Sequence, residues 1–298
     1  MRSRVLAALL AAATVMIAPA CGRSQPAGPS PVVAPTATPS APQSTAPGRL
    51  AIISIDGLRP DAILTTGAPN IMALAARGAY TWRARTVMPS TTLPSHISML
   101  SGVEPDVHGI TWDEYEPARG RLFVPTIFSM ARDRGKRTAV MTGKSKFAYF
   151  CDSGACDTWT IADRSDDDVA GRVNGGADLL FVHLPDVDRA GHATEWMSEA
   201  YLAAVRRQRG RDPADDVVRS PDVTVILTAD HGGHVDGHGT SDPVDVTIPW
   251  IVAGPHTARG KVLGGTIRTV DTAATAAYVL GIPLMGAVSG RAVLEAFQ

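Results

Sequence analysis

The sequence predicts a three-layer α/β sandwich: a mostly parallel central sheet, helices on both of its faces, and a small cap. Three observations point there. Short apolar runs recur from Arg49 onward, with stretches of helical character between them. The runs are apolar at consecutive positions, as in strands buried on both faces. Acidic residues and histidines stand just after the runs, at the carboxyl ends where open α/β sheets gather their ligands.

The chain ahead of that pattern reads differently. Arg2 and Arg4 precede an uncharged apolar stretch from Val5 to Ile17, followed by Ala18-Pro19-Ala20. That is a secretory signal over residues 1–20, too short for a comfortable membrane span. Cys21 then resembles a bacterial lipoprotein acceptor, although Ala18 stands where Leu is usual. Lipidation at Cys21, with attachment to a membrane, and simple cleavage both stay open, with a retained anchor as a third reading. The first two export the protein from a bacterial cell, secreted, periplasmic or held at the surface. Residues 21–48 are rich in Pro, Ala, Ser and Thr and read as an unfolded tether, because they offer little apolar surface to offset ordering. Cys151 and Cys156 bracket a glycine turn in FCDSGACD. In an exported protein they are expected to close a small disulfide loop, and no second CxxC pair supports a zinc ribbon.

Residues 49–298 read as one domain without internal repeats. The expected strands are Leu50–Ile55, Thr138–Met141, Asp178–Val182, Val223–Leu227 and Ile248–Val252. The expected helices cover 70–78, 92–101, 125–134, 195–207 and 271–280, several with Pro at the start and Gly at the end. The whole chain is 45% hydrophobic with a formal net charge of -1. That balance gives no electrostatic case for a nucleic-acid-binding surface.

Asp56 follows the first strand, Asp188 and His192 the third, and Asp230, His231, His234 and His238 the fourth. Carboxylates and imidazoles delivered together to one sheet edge suit zinc, whose sites mix nitrogen and oxygen ligands. A single Asp or His of this kind is more often a loop residue or cap, but three clusters after three strands outweigh that reading. In MPSTTLPSH, Thr92 precedes Pro94 and a helical run. A hydroxyl there meets free backbone N–H groups and the positive end of the helix dipole, where a phosphate would be welcome. The plainer reading, an N-cap at Thr91 or Thr92, holds for the segment alone.

The ordered set ISIDGLRPD, PSTTLPSH, SGVEPDVHGI, DVDRAGH, TADHGGH and GHGT…IPW resembles the alkaline phosphatase superfamily, above all its nucleotide pyrophosphatase/phosphodiesterase branch. The likeness runs from about Leu50 to Pro255. It implies an alkaline phosphatase-like fold and two zinc ions, one held by Asp56, Thr92, Asp230 and His231, the other by Asp188, His192 and His238. His234 is the rival of His238 as the last ligand. Such a pair of ions, about 4 Å apart, clamps the attacking and leaving oxygens of an in-line displacement. Thr92 would then be the nucleophile and carry a covalent phosphoryl group. His96 and His108 read as structural, and His183 as a partner of a ligand.

Two positions depart from the family pattern. Phosphodiesterases of this branch carry an Asn after the HGI segment, where this chain has Asp113, whose charge would repel a phosphoryl oxygen. Lys144 and Lys146, two of only four lysines, fall where superfamily members that cleave phosphate monoesters or phosphonoacetate grip the extra charge of substrate. The residues following Thr92 lack the Pro-x-Arg of sulfatases. The expected activity is therefore hydrolysis of a small phosphodiester or nucleotide pyrophosphate. Hydrolysis of a monoester or phosphonate through Lys144 and Lys146 is the alternative, and a metal-containing binding lipoprotein without catalysis is the second. The cap is expected within 147–174, and Trp112, Tyr115 and Trp159 are candidates for stacking on a nucleoside base.

Overall fold

The structure, a computed structural model, describes residues 48–151, 154–161, 163–170, 176–208 and 220–297. The signal segment, Cys21 and the tether up to residue 47 lie outside the described residues. Among the described residues no helix is long and apolar enough to cross a membrane.

Eight strands form one sheet: β1 (Arg49–Ile55), β2 (Ala79–Arg85), β3 (Thr138–Thr142), β4 (Thr158–Ile161), β5 (Leu179–Leu184), β6 (Val223–Thr228), β7 (Thr247–Ala253) and β8 (Lys261–Val262). Their spatial order is β4-β3-β5-β1-β6-β7-β2-β8. β1 lies parallel between β5 and β6, with Ile53 opposite both Val182 and Leu227. β7 is antiparallel to both of its neighbours and is the one described strand that runs against the rest. From Leu50 to Ile55 every residue of β1 is buried. Consecutive burial is possible only with cover on both faces, which is why the run is apolar throughout.

The helices are α1 (Pro60–Thr66), α2 (Pro69–Arg77), α3 (Thr92–Ser101), α4 (Pro105–His108), α5 (Ile127–Arg132), α6 (Ala148–Cys151), α7 (Asp166–Ala170), α8 (Asp186–Thr194), α9 (Glu199–Arg207), α10 (Pro243–Val246) and α11 (Asp271–Leu280). α3, α5 and α11 pack on one another, and α11 packs on β1. A second group joins α9 to α1 and α8, with α1 and α2 against β7. Every residue of α3 is buried, and Gly102 closes the helix in the left-handed conformation, its N–H 2.9 Å from Ser98 O.

Some boundaries differ from expectation for local reasons. The stretch expected as helix 125–134 shortens to α5 because Thr126 and Ser129 cap one another, Thr126 Oγ1 accepting from Ser129 N–H and Ser129 Oγ from Thr126 N–H. The helix expected from 195 starts at Glu199. Ser198 is its N-cap, and Glu195 and Met197 before it take positive φ angles of 74° and 69°. β2 was not expected because its buried positions are Ala79, Thr81 and Ala84, too small to read as an apolar run. Within 147–174, the described residues include β4, which extends the sheet beside β3. Cys151 and Cys156 form a disulfide.

Candidate active site and metal centre

The carboxyl ends of the parallel strands converge on one edge, and the candidate residues arrive there from different parts of the chain. β1 ends at Asp56. Gly57 follows with φ 67°, its N–H donating to Asp230 Oδ1 at 3.2 Å. A Cβ at Gly57 would sit 3.0 Å from the Asp188 Cα, so a side chain there would push the Asp56 and Asp188 segments apart. β6 delivers Asp230 and His231, and α8, after β5, delivers Asp188 and His192. Asp56, Thr92, Asp188, Asp230 and His231 are all buried.

Thr92 is the first residue of α3, and the cap position is held by Thr91 without a side-chain cap bond. Thr92 Oγ1 therefore faces the site, 3.4 Å from His231 Nε2 and 3.3 Å from Lys144 Nζ. Beneath it, His96 Nδ1–H donates to Thr92 O and Ser54 Oγ donates to His96 Nε2, both at 2.7 Å. Burial holds His96 well below its usual pKa, so it stays a neutral strut. His183 Nε2 sits 2.8 Å from Asp56 Oδ2. His108 lies outside the centre; its Nδ1 accepts from Ile110 N–H and its Nε2–H donates to Ser98 Oγ, while burial brings its pKa down to about 4.

The partners of the ring nitrogens show where the remaining donor atoms point. His231 Nδ1–H donates to Gly232 O at 2.7 Å, so its Nε2 is turned to Asp230 Oδ2, 3.2 Å away, and Asp56 Oδ1, 3.3 Å away. His238 Nδ1–H donates to Ser90 O and His192 Nδ1–H to Asp236 O. Their Nε2 atoms meet at 3.2 Å, with Asp188 Oδ1 at 3.8 Å from His238 and 3.4 Å from His192. Asp56 Oδ1, Asp188 Oδ1 and Asp230 Oδ2 are buried without a hydrogen-bond partner. Oxygen and imidazole atoms crowded this closely in a low-dielectric centre repel unless protons or a cation stand between them. The donors fall into two sets of mutually close atoms, Asp56/Asp230/His231 and Asp188/His231/His238. Oxygen and imidazole donors in sets of this kind fit zinc.

The electrostatics of the protein alone carry the same crowding. Burial, then the nearby Asp56 charge, pushes Asp230 well above the carboxylate range. Burial tends to lower His231, but Asp230 and Asp56 outweigh it and push it up to about 10. His238, buried and beside His231, is pushed down to about 4. Lys144 Nζ lies 2.6 Å from Asp56 Oδ2 and 2.7 Å from Asp188 Oδ2. Its charge holds Asp56 well below its usual value against the effect of burial.

The remaining candidates are placed as follows. Asp113 Oδ1 accepts from Leu93 N–H at 2.7 Å, and Asp113 Oδ2 pairs with Lys146 Nζ at 2.8 Å. Lys146 also lies 3.7 Å from Glu114. His234 turns from the cluster, its Nδ1 2.7 Å from the buried Asp245. Trp112 is covered on one face by Arg119, whose guanidinium carbon is 4.6 Å from the ring centroid, and its N–H points to Tyr149 Oη. Tyr115 and Trp159 keep exposed rings. Sequence reasoning did not single out Trp196, a buried indole between the ligand loops. Its signal in the sequence was faint: the glycines of AGHATEW and DHGGH that make room for it.

Comparisons with known proteins bear on the family and the fold. The model of the type I phosphodiesterase / nucleotide pyrophosphatase family matches residues 50–238. An uncharacterized pyrophosphatase/phosphodiesterase of Schizosaccharomyces pombe is 31% identical over 83 residues, 28% of this chain and 17% of that protein. GPI ethanolamine phosphate transferase 1 of Aspergillus fumigatus is 22% identical over 71% of this chain and 26% of its own length. The matches thus span about a quarter or less of these curated relatives. Among solved structures, murine ectonucleotide pyrophosphatase/phosphodiesterase 5 superposes with a TM-score of 0.69 at 12% identity, covering 84% of this chain and 100% of that one. A 2-O GAG sulfatase superposes with a TM-score of 0.63 at 17% identity, covering 85% and 75%. These likenesses show an alkaline phosphatase-like fold. With a match over more than half of its length, the chain belongs to the type I phosphodiesterase / nucleotide pyrophosphatase family, within the alkaline phosphatase superfamily.

Proposed function

We propose that the protein is a phosphohydrolase that cleaves small phosphodiesters or nucleotide pyrophosphates through a covalent phosphoryl group on Thr92. The observation that carries this reading is Thr92 Oγ1 at the start of a buried helix, beside two sets of donor atoms in which the Asp56, Asp188 and Asp230 oxygens are unpartnered. Two divalent cations, zinc by the donor types, would polarise the phosphoryl oxygens and lower the pKa of the attacking group when bound. Asp56, Thr92, Asp230 and His231 would hold one, and Asp188, His192 and His238 the other.

The chain's own residues supply the rest. His96 pins the Thr92 carbonyl, fixing the first turn of α3 and with it the direction of Oγ1. Thr92 Oγ1 gives up its proton and forms a bond to phosphorus as the bond to the leaving-group oxygen breaks, and that oxygen takes up a proton in turn. Water then attacks the same phosphorus, releasing a phosphate monoester and restoring the hydroxyl. A structure of the murine relative holds AMP, which supports a nucleotide-containing substrate here. The pairing of Lys146 with Asp113 supports diesters, because it leaves that ammonium compensated. The opposing observation is Lys144 Nζ, 3.3 Å from Thr92 Oγ1 and placed to meet the additional charge of a monoester or phosphonate. Export, with or without a lipid on Cys21, completes the proposal and rests on the sequence alone.

The test is turnover of bis-p-nitrophenyl phosphate against p-nitrophenyl phosphate by the zinc-supplied protein and by Thr92→Ala. The expected result is a preference for the diester. Activity should fall in the variant by several orders of magnitude, up to the ~10⁶-fold seen when a nucleophile is removed. A preference for the monoester selects the Lys144 reading. Bound metal with no turnover of either ester, or of phosphonoacetate, selects the binding lipoprotein.

A further inference from the structure

Trp196 ties together the three loops that carry the metal donors. Its indole N–H donates to Gly57 O at 3.0 Å, next to Asp56. Its backbone N–H donates to Val235 O at 2.8 Å, in the loop that leads to His238. The ring stands edge-on to His192, with centroids 4.9 Å apart, and 5.9 Å from His238. Two glycines admit it: a Cβ at Gly191 would come within 2.6 Å of the indole and one at Gly233 within 2.3 Å. Backbone strain gathers at the same junction. Glu195 and Met197 flank the indole with φ of 74° and 69°, and the β-branched Val235, which accepts its N–H, has φ 49°. Such conformations cost on the order of 1–3 kcal/mol each and persist where surrounding contacts over-determine them.

A core tryptophan needs none of this, since packing alone asks for neither left-handed neighbours nor paired glycines. Resting on the metal reading above, we propose that Trp196 is the positioning residue of the Asp188–His192–His238 half of the site. It sets the two imidazoles at their mutual angle before the ion arrives, and its emission reports the occupancy of that half.

The test titrates the full chain with Zn²⁺, following bound metal by calorimetry and indole emission together, in the wild type, W196F and W250F. Trp250 is a buried tryptophan of β7 with its N–H on Thr272 and serves as the packing control. The wild type should take two ions, one with a change in emission. In W196F that change should vanish, and one ion should bind about 10- to 100-fold more weakly while the other keeps its affinity. W250F should lower the melting temperature yet keep both affinities. If W196F does not fold, V235G, which frees the left-handed residue and keeps the indole, should weaken the same ion. Unchanged affinities in W196F, or equal weakening of both ions, overturns the proposal. A wild-type chain that binds no Zn²⁺ overturns the metal reading itself and is seen before any variant is made.

Discussion

Asp113 uses both of its carboxylate oxygens, one on the Leu93 N–H and one on Lys146. The Leu93 N–H belongs to the first turn of α3 and is one of the donors an incoming phosphoryl oxygen would seek. On the proposed function, Asp113 would therefore compete with substrate for a donor and add a negative charge beside it. Asp113→Asn removes the charge, and KM for an anionic ester is expected to fall about tenfold, equivalent to about 1.4 kcal/mol. Steady-state kinetics on bis-p-nitrophenyl phosphate check this, and an unchanged or higher KM sinks the account. Part of this was legible in the sequence: Asp56 stands directly after β1, Asp188 and His192 fall in α8 after β5, Asp230, His231 and His238 follow β6, and the structure places their donor atoms near one another. The bridging of Asp56 and Asp188 by Lys144 was not legible, because it depends on β3 lying two strands from β1 across β5. Trp196 escaped notice because the space for it depends on Gly233 in another segment as well as on the nearby Gly191.

Helices α7 and α8 meet at their N-termini through a reciprocal pair. Asp166 N–H donates to Asp186 Oδ2 at 3.1 Å and Asp186 N–H to Asp166 Oδ1 at 2.9 Å. Burial, then the Asp186 charge, pushes the Asp166 carboxyl up to about 7. A carboxyl raised in the fold above its unfolded value near 3.8 binds its proton more tightly when folded. Its contribution to stability is complete below about pH 4 and is lost as pH rises through about 7. Asp166→Asn should flatten the fall in melting temperature between pH 5 and 8, and parallel curves for variant and wild type would contradict it. α8 also marks where reading by element stops. Its buried positions are Val187, Asp188 and Gly191, a polar and narrow face that presents Asp188 and receives Trp196. No apolar stripe announces such a helix, whereas α11, buried along most of its length, matched its expected span residue for residue.

For the molecule as a whole, the sheet supplies a rigid edge and the centre concentrates like charges on it. Three buried carboxylates, Asp56, Asp188 and Asp230, are partly balanced by Lys144 alone among the lysines. Divalent ions should therefore stabilise the fold as well as serve catalysis. Chelation is expected to abolish hydrolysis and, relative to ions at 100 times their Kd, to remove about 2.7 kcal/mol per site. For a domain of this size that is roughly 5–10 °C in melting temperature per site. Calorimetry with and without a chelator decides, and an unchanged midpoint would mean the ions bind folded and unfolded chain alike. The fold class was legible because strands buried on both faces cannot avoid being apolar. The sheet's far side was less so: β2 and β8 lie toward the edge beyond β7, where small or polar residues suffice.

The position of β1 also sets an order of events in time. It is the first of the described strands to be synthesised, yet it takes the centre of the sheet, with Leu50 opposite Leu179 and Thr224. Its two hydrogen-bonding edges are filled in turn, one by β5 and the other only by β6, so until the chain has emerged past residue 228 one edge has no native partner. Contacts this distant in sequence form slowly and leave aggregation-prone surface waiting. Nascent chains halted before β6 should consequently need a holding chaperone, and the donor edge, assembled from β1, β5 and β6 together, is among the last features to exist.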